Sequence, residues 1–273
     1  MRSATLLRRA IRAELATLSW RRGVFWAAIP LALLIPVVIT VAIAKANEYI
    51  SEVNAHVGPD EVPLPGGYSM SRDNSFYWVL FLSTFIMMCA AASSYGTQYR
   101  NRTVDTFAVI QPQRWPLPTA KLVVYGVLAA VTTAVGVVIV NGLIPMWFPR
   151  TWAEVSLVSR EGIRALWTLP LYSFFLVAFG LGLVGLLRST FISVALVLFA
   201  KLGTEAFLVV GDADTADLIR HYSPLSNAEY STGQVMGVAE GMWSVNTAII
   251  YYVTVFLVVF ALGVLRFSRI NSR

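Results

Sequence analysis

The sequence predicts an all-α membrane protein with about six transmembrane helices, an N-terminal interfacial amphipathic helix and short external helices before the sixth span. The 273-residue chain is 57% hydrophobic and only 13% charged, and its mean hydropathy is +0.66. A soluble domain of this length cannot hide so much apolar surface in one core. The chain also has six apolar windows, each long enough to cross about 30 Å of hydrocarbon.

The six windows define the predicted spans. Their approximate bounds are 24–44, 76–95, 122–148, 165–187, 190–211 and 245–265. The third window is long and has Pro145 near its end, which predicts a tilt or a break in its last turns. No linker divides the chain, so residues 1–273 form one predicted transmembrane domain.

The distribution of charge predicts the orientation. With both termini in the cytoplasm, 14 of the 21 lysines and arginines lie in cytoplasmic segments, while the external segments hold six. Short loops rich in lysine and arginine stay inside, so we expect a multi-pass protein of the cell membrane with cytoplasmic N- and C-termini. The net charge of +6 is then a topology signal, and it calls for no nucleic-acid partner. The first apolar stretch lacks a small-residue cleavage site, so we expect it to be retained.

The segments outside the spans carry helical signals of their own. Leu7, Ile11, Leu15 and Leu18 form one stripe on a helix over residues 4–20, which predicts an interfacial helix within residues 1–22. An ordinary basic flank is the alternative. The loop 46–75 is rich in proline and glycine and is predicted to be irregular. The stretch 212–244 predicts short or re-entrant helices that are bent at Pro224 and Gly233.

Motifs for catalysis and metal binding are absent from the sequence. It contains no phosphate-binding glycine loop, no H-E-x-x-H pair and no G-x-S-x-G elbow. His56 and His221 lie in separate loops, and Cys89 is the one cysteine, so neither a disulfide nor a cysteine metal site is expected. We therefore predict no catalytic residue, no metal and no cofactor bound by this chain.

Strongly polar side chains stand within the third and fifth predicted spans. Lys201 and Glu205 are spaced i,i+4 in the fifth span, so they can pair on one helix face and offset part of each other's insertion cost. They belong either to a translocation path or subunit interface, or to a buried structural pair. Asn141 in the third span is predicted to make an interhelical hydrogen bond.

The segment between the second and third spans is the most informative stretch. Thr103 can cap a short helix that runs to about Ile110 and ends before Pro112, Pro116 and Pro118. Its apolar face consists of Val104, Phe107, Ala108 and Ile110. The segment is either a docking surface for a cytoplasmic partner or a connector that follows the membrane surface.

The order of these features resembles the membrane subunit, or permease, of a bacterial type-2 ABC exporter. Residues 103–121 are similar to the family's pattern of threonine, an acid, apolar residues, proline, arginine and then lysine at the third span. Gln98 and Arg102 stand where that pattern has an acid and a glycine.

The resemblance implies a coupling helix that rests on a separate ABC ATPase subunit. It implies that Thr103, Asp105, Phe107 and Arg114 serve this coupling, and that ATP is bound and hydrolysed by the partner. It also implies a second permease subunit, either identical or paralogous. The chain is then a permease and not an enzyme. The alternatives are a membrane scaffold or signalling protein that docks a cytoplasmic partner and, in third place, a membrane enzyme.

Overall fold

The described part of the chain is almost entirely helical. A computed structural model describes residues 2–18, 24–56, 77–101, 114–149, 156–210, 213–233 and 243–269. The helices in these ranges are α1 Arg2–Thr17, α2 Ile29–Ala55, α3 Thr84–Arg100, α4 Pro116–Val138, α5 Ile144–Trp147, α6 Arg160–Leu187, α7 Thr190–Val210, α8 Ala213–Tyr222, α9 Pro224–Thr232 and α10 Val245–Arg269. The described ranges contain no strand, which confirms the all-α prediction.

Four helical segments are long and apolar enough to cross a membrane. They are Trp26–Ala55, Pro116–Trp147, Arg160–Leu187 and Val245–Arg269, and a shorter apolar helix covers Thr190–Gly203. Large apolar side chains are exposed along them, including Leu34 at 60% and Ile250 at 66%. Water disfavours exposed apolar surface on this scale, whereas lipid does not. The chain therefore has the helices of a membrane protein.

The long helices alternate in direction through the bundle. Thr190 at the start of α7 touches Gly96 near the end of α3, and Lys201 further along α7 lies over the ring of Tyr77, which precedes α3. These contacts make α3 and α7 antiparallel. The two clusters of buried side chains give the directions of the other helices, because each cluster collects side chains from one half of the bundle. Helices α3, α6 and α10 run one way, and α2, α4 and α7 run the other.

Two ends of the bundle can therefore be defined. The α1 end contains α1, the start of α4 and the turn between α6 and α7. The α9 end is opposite and contains α8, α9 and the start of α10. Helix α6 lies at the centre and packs against α3, α4, α7 and α10.

Glycine permits a backbone-to-backbone contact between α6 and α10. A Cβ atom built on Gly182 would lie 2.7 Å from the backbone of Phe260, and one built on Gly263 would lie 2.5 Å from the carbonyl oxygen of Gly182. Gly185 approaches Gly263 in the same way. Small residues allow two helix backbones to meet, which is how helices gain contact area within a membrane.

Prolines explain the irregular turns in the bundle. Two π-helical turns, Val24–Ala28 and Ile139–Leu143, end two residues before Pro30 and Pro145. A proline lacks the N–H of the helical hydrogen bond and its ring clashes with the carbonyl four residues earlier, so the helix widens ahead of it. The break predicted near Pro145 is confirmed.

Pro36 inside α2 has a different consequence. It leaves the carbonyl of Ala32 without its usual helical donor. The buried hydroxyl of Ser83 donates to that carbonyl instead. Ser83 ends the third π-helical turn, Val79–Ser83, so one irregular turn supplies the donor that a proline removed from a neighbouring helix.

Two predicted boundaries are wrong. The prediction of an irregular loop from residue 46 fails at its start, because α2 continues to Ala55. No proline or glycine stands between Pro36 and Gly58, so nothing local ends the helix earlier. Pro116 and Pro118 were expected to lie before the third span, yet both lie in the first turn of α4. The backbone N–H groups in the first turn of a helix have no acceptor within that helix, so proline, which lacks an N–H, is tolerated there.

The stretch before α10 forms two short helices, α8 and α9. Pro224 stands in the first turn of α9, where the hydroxyl of Ser223 accepts a hydrogen bond from the N–H of Ser226 at 3.3 Å. Gly233 ends α9 with a φ of 89°, a backbone conformation that glycine adopts without strain. The short helices with breaks at Pro224 and Gly233 were predicted, and both are present.

Candidate functional site

The coupling residues implied by the resemblance lie mostly outside the described residues. Thr103, Asp105 and Phe107 fall in the gap 102–113, and their predicted role stays a prediction. Arg114 is described and partly buried, and its carbonyl accepts a hydrogen bond from the N–H of Leu117 at 3.3 Å. The chain leaves α3 and enters α4 at the α1 end, so both boundaries of this segment lie at that end of the bundle, where α4 packs against α1.

A buried ion pair joins α1 to the start of α4. The Nζ of Lys121 lies 2.9 Å from Oε2 of Glu14, and the two side chains are only 2% and 5% exposed. The ammonium also donates to the hydroxyl of Ser94 on α3 at 3.0 Å. The face of the Tyr125 ring lies 5.8 Å away. One cation thus joins three helices next to the coupling segment.

The position of Glu14 adds a buried acid to the predicted apolar side of α1. Leu15 of the predicted stripe is 56% exposed, whereas Glu14 is 4% exposed and Leu18 is 6% exposed. Leu7, Ile11, Glu14 and Leu18 recur at spacings of four, three and four residues, which places them on one helix face. This spacing was the signal in the sequence that could have revealed Glu14. It was overlooked because glutamate was counted as solvated charge.

A second ion pair lies in the opposite half of the bundle. Lys201 on α7 pairs with Glu229 on α9, with side-chain exposures of 8% and 20%. The ring centroid of Tyr77 lies 5.9 Å from the Lys201 ammonium. The side chain of Glu205 lies outside the described residues, so its predicted pairing with Lys201 stays a prediction. Sequence reasoning missed Glu229, because no local spacing connects it with Lys201.

Arg164 holds α9 in place from α6. Its Nε and Nη2 donate to the carbonyls of Ser231 and Tyr230, each at 2.9 Å. The last carbonyls of a helix lack internal donors and carry partial negative charge, so a guanidinium stabilises that end. Asn227 is fully buried within α9 and donates to the carbonyls of His221 and Ser223. These bonds fix the helix that carries Glu229.

Asn141 differs from the expected interhelical hydrogen-bonding residue. It lies on the π-helical turn Ile139–Leu143, is 2% exposed, and neither atom of its amide has a hydrogen-bond partner among the described residues. The Thr40 hydroxyl on α2 is likewise fully buried without a partner there. An unpaired buried polar group costs about 1–3 kcal/mol. Within the described residues, this amide and this hydroxyl are therefore buried at a cost in stability.

The described residues of these sites offer charge pairing and hydrogen bonding. Among the described residues no cluster of three or more histidine, cysteine, aspartate or glutamate side chains is placed to hold a metal ion. Comparison of the chain with protein-family models, with curated proteins and with solved structures finds no match.

Proposed function

We propose that this chain is the membrane permease subunit of an ATP-driven ABC exporter, embedded in the cell membrane. The observation that supports this best is the packing at the α1 end. The amphipathic helix α1 and both boundaries of the predicted coupling segment meet there, and the pair of Glu14 and Lys121 ties α1 to the first turns of α4. A force applied to that segment by a partner is then passed to α1 and α4 together.

In this proposal six helices cross the membrane, near 24–44, 76–95, 122–148, 165–187, 190–211 and 245–265, with both termini in the cytoplasm. The alternating helix directions in the bundle are those that six consecutive crossings require. The α1 end then faces the cytoplasm, in agreement with the lysine and arginine count. In this orientation the pair of Lys201 and Glu229 lies towards the external side and joins α7 to α9.

Two partners complete the proposed transporter. An ABC ATPase subunit binds ATP and docks on the segment with Thr103, Asp105, Phe107 and Arg114, so the permease itself catalyses no reaction. A second permease subunit, identical or paralogous, lies beside the first and forms the translocation path with it.

The test is to co-express the tagged chain with candidate ABC ATPases and to measure copurification and ATP turnover in liposomes. Phe107→Asp places an unpaired acid on the apolar face of the docking segment, so we expect it to abolish association and stimulated turnover while expression survives. Thr106→Asp is the matched control, because it adds the same charge away from that face. Wild-type association of Phe107→Asp would remove the segment from the coupling role, and capture of a non-ATPase cytoplasmic protein would favour the scaffold alternative.

A further inference from the structure

A cavity at the α1 end lies between the end of α3 and the start of α7. Its volume is about 870 Å³. Arg100 and Arg188 line it together with hydroxyl groups such as those of Ser93 and Thr97, and Cys89 and Val194 give it an apolar part. No acidic side chain lines it among the described residues. We call it the basic cavity.

A second cavity adjoins the basic cavity across Arg188. Its volume is about 480 Å³, and Arg266 and Arg269 of α10 line it together with Arg188 and leucine side chains. Within the described part of the chain, none of these arginines is in an ion pair with an acid. Four unpaired guanidinium groups around two adjoining cavities produce a strongly positive potential at one place on the surface.

Arg188 is held there by an unusual backbone. It is the one non-glycine residue with positive φ among the described residues, at 55°. It ends α6 in the left-handed conformation, and its N–H bonds to the carbonyl of Val184 at 2.8 Å. Glycine would fill this position without strain, whereas a residue with a side chain is disfavoured there. The arginine thus stands where the backbone favours glycine, and it lines both cavities.

The surface beside the basic cavity is apolar. Phe191 is 81% exposed and Phe199 is 75% exposed, with Leu196 exposed between them on α7. A free anion would use the arginines and leave this surface unused. A molecule with a phosphate at one end and acyl chains at the other would use both.

We propose that the basic cavity binds an anionic glycerophospholipid, with the phosphate headgroup at Arg100 and Arg188 and the acyl chains along Phe191 and Phe199. Pockets lined with basic side chains between transmembrane helices suit such headgroups. The inference requires that the chain lies in a membrane, but it does not require an ATPase partner. Its test therefore succeeds or fails independently of transport.

The test uses the full chain purified in neutral detergent and measures its melting temperature in mixed micelles. Phosphatidylglycerol is titrated against phosphatidylcholine, and inorganic phosphate is titrated alone. We expect phosphatidylglycerol to raise the melting temperature saturably, with little effect of phosphatidylcholine or of inorganic phosphate at millimolar concentration. Each arginine lost should weaken lipid binding about fivefold, since one basic residue near an anionic headgroup contributes ~1 kcal/mol.

Arg188→Gly separates binding from folding. Glycine suits the backbone at that position, so this variant should match or exceed the basal stability of the wild type, yet need about fivefold more phosphatidylglycerol for the same lipid-dependent gain. Arg100→Gln should show a similar shift, and Arg160→Gln, an exposed arginine at the opposite end, should keep the wild-type response. Equal gains from the two lipids, an unchanged gain in Arg188→Gly, or an equal gain from inorganic phosphate alone would each overturn the proposal.

Discussion

At the scale of single residues, Glu14, Lys121 and Lys201 are buried among the described residues, and each meets a charged partner. Lys121 is 2% exposed in its side chain and has both a carboxylate and a hydroxyl within 3.0 Å. A buried charge left without a partner is strongly destabilising, whereas replacing both members of the pair by apolar or neutral residues is often tolerated. For each ion pair, the stability of the double variant relative to the single variants therefore tests whether the two residues are paired.

The first prediction concerns Glu14 and Lys121. Glu14→Gln or Lys121→Met alone should reduce the free energy of unfolding by about 3–5 kcal/mol, because each leaves one charge buried and unpaired. The double variant should recover much of that loss. Thermal unfolding in detergent measures both, and Arg9→Gln, an exposed position of the same helix, is the control. Losses that simply add in the double variant would contradict the pairing.

The second prediction separates the two possible partners of Lys201. Since Lys201 pairs with Glu229, Glu229→Gln should destabilise the protein by a few kcal/mol, and Lys201→Met should rescue it. The i,i+4 spacing predicts that Lys201 pairs with Glu205, in which case Lys201→Met should also rescue Glu205→Gln. Melting temperatures of the three single variants and two double variants decide between these carboxylates, or show that they share the lysine.

Transport is measured in the same variants to test whether the charges also have a function. Recovery of both stability and transport in the rescued double variant would identify a structural pair. Recovery of stability without transport would place the charges in the translocation cycle. Double variants as unstable as the sum of the single changes would contradict pairing of Lys201 with either acid.

At the scale of helices, the bundle depends on places where backbones touch. The crossing of α6 and α10 at Gly182, Gly185 and Gly263 leaves no room for a methyl group, because the atoms opposite each glycine belong to backbone. Backbone atoms cannot turn aside as a flexible side chain can. The same contact sets the rotation of α10, whose Phe256 and Phe260 reach the core.

The third prediction tests this contact. Gly263→Ala should separate α6 from α10 and lower stability by about 1–3 kcal/mol, the range for overpacking in a filled interior. Gly203→Ala is the matched control, since the nearest atom to its added methyl group would be a ring atom of Phe199 at 3.9 Å. Comparable melting temperatures for the two variants would mean that the helices do not meet as closely as described.

At the scale of the whole molecule, the orientation in the membrane remains to be measured. The fourth prediction is that residue 101 faces the cytoplasm and residue 60 faces outward, because the lysine and arginine distribution demands it. Asn101→Cys and Asp60→Cys, each in a Cys89→Ala background, can be labelled with an impermeant thiol reagent in intact cells. Labelling of residue 60 alone is expected. Labelling of residue 101 with protection of residue 60 would reverse the topology.

The sequence by itself determined the features of this protein that arise within one stretch of chain. The apolar windows, the amphipathic character of α1 and the breaks at Pro224 and Gly233 follow from hydrophobicity, periodicity and backbone chemistry, which act over a few residues. The position of Pro116 and Pro118 in the first turn of α4 also follows from a local rule, that the start of a helix tolerates proline.

Only the tertiary structure decided which charges meet and which polar groups stay unpaired. Glu14 and Lys121 are 107 residues apart, and Lys201 finds Glu229 on a different helix. Such pairs depend on the rotation and depth of each helix, which are set by side-chain packing and by close contacts such as that of Gly182 with Gly263. The cavities around Arg188 have the same origin, because they form where neighbouring helix ends fail to fill the space between them.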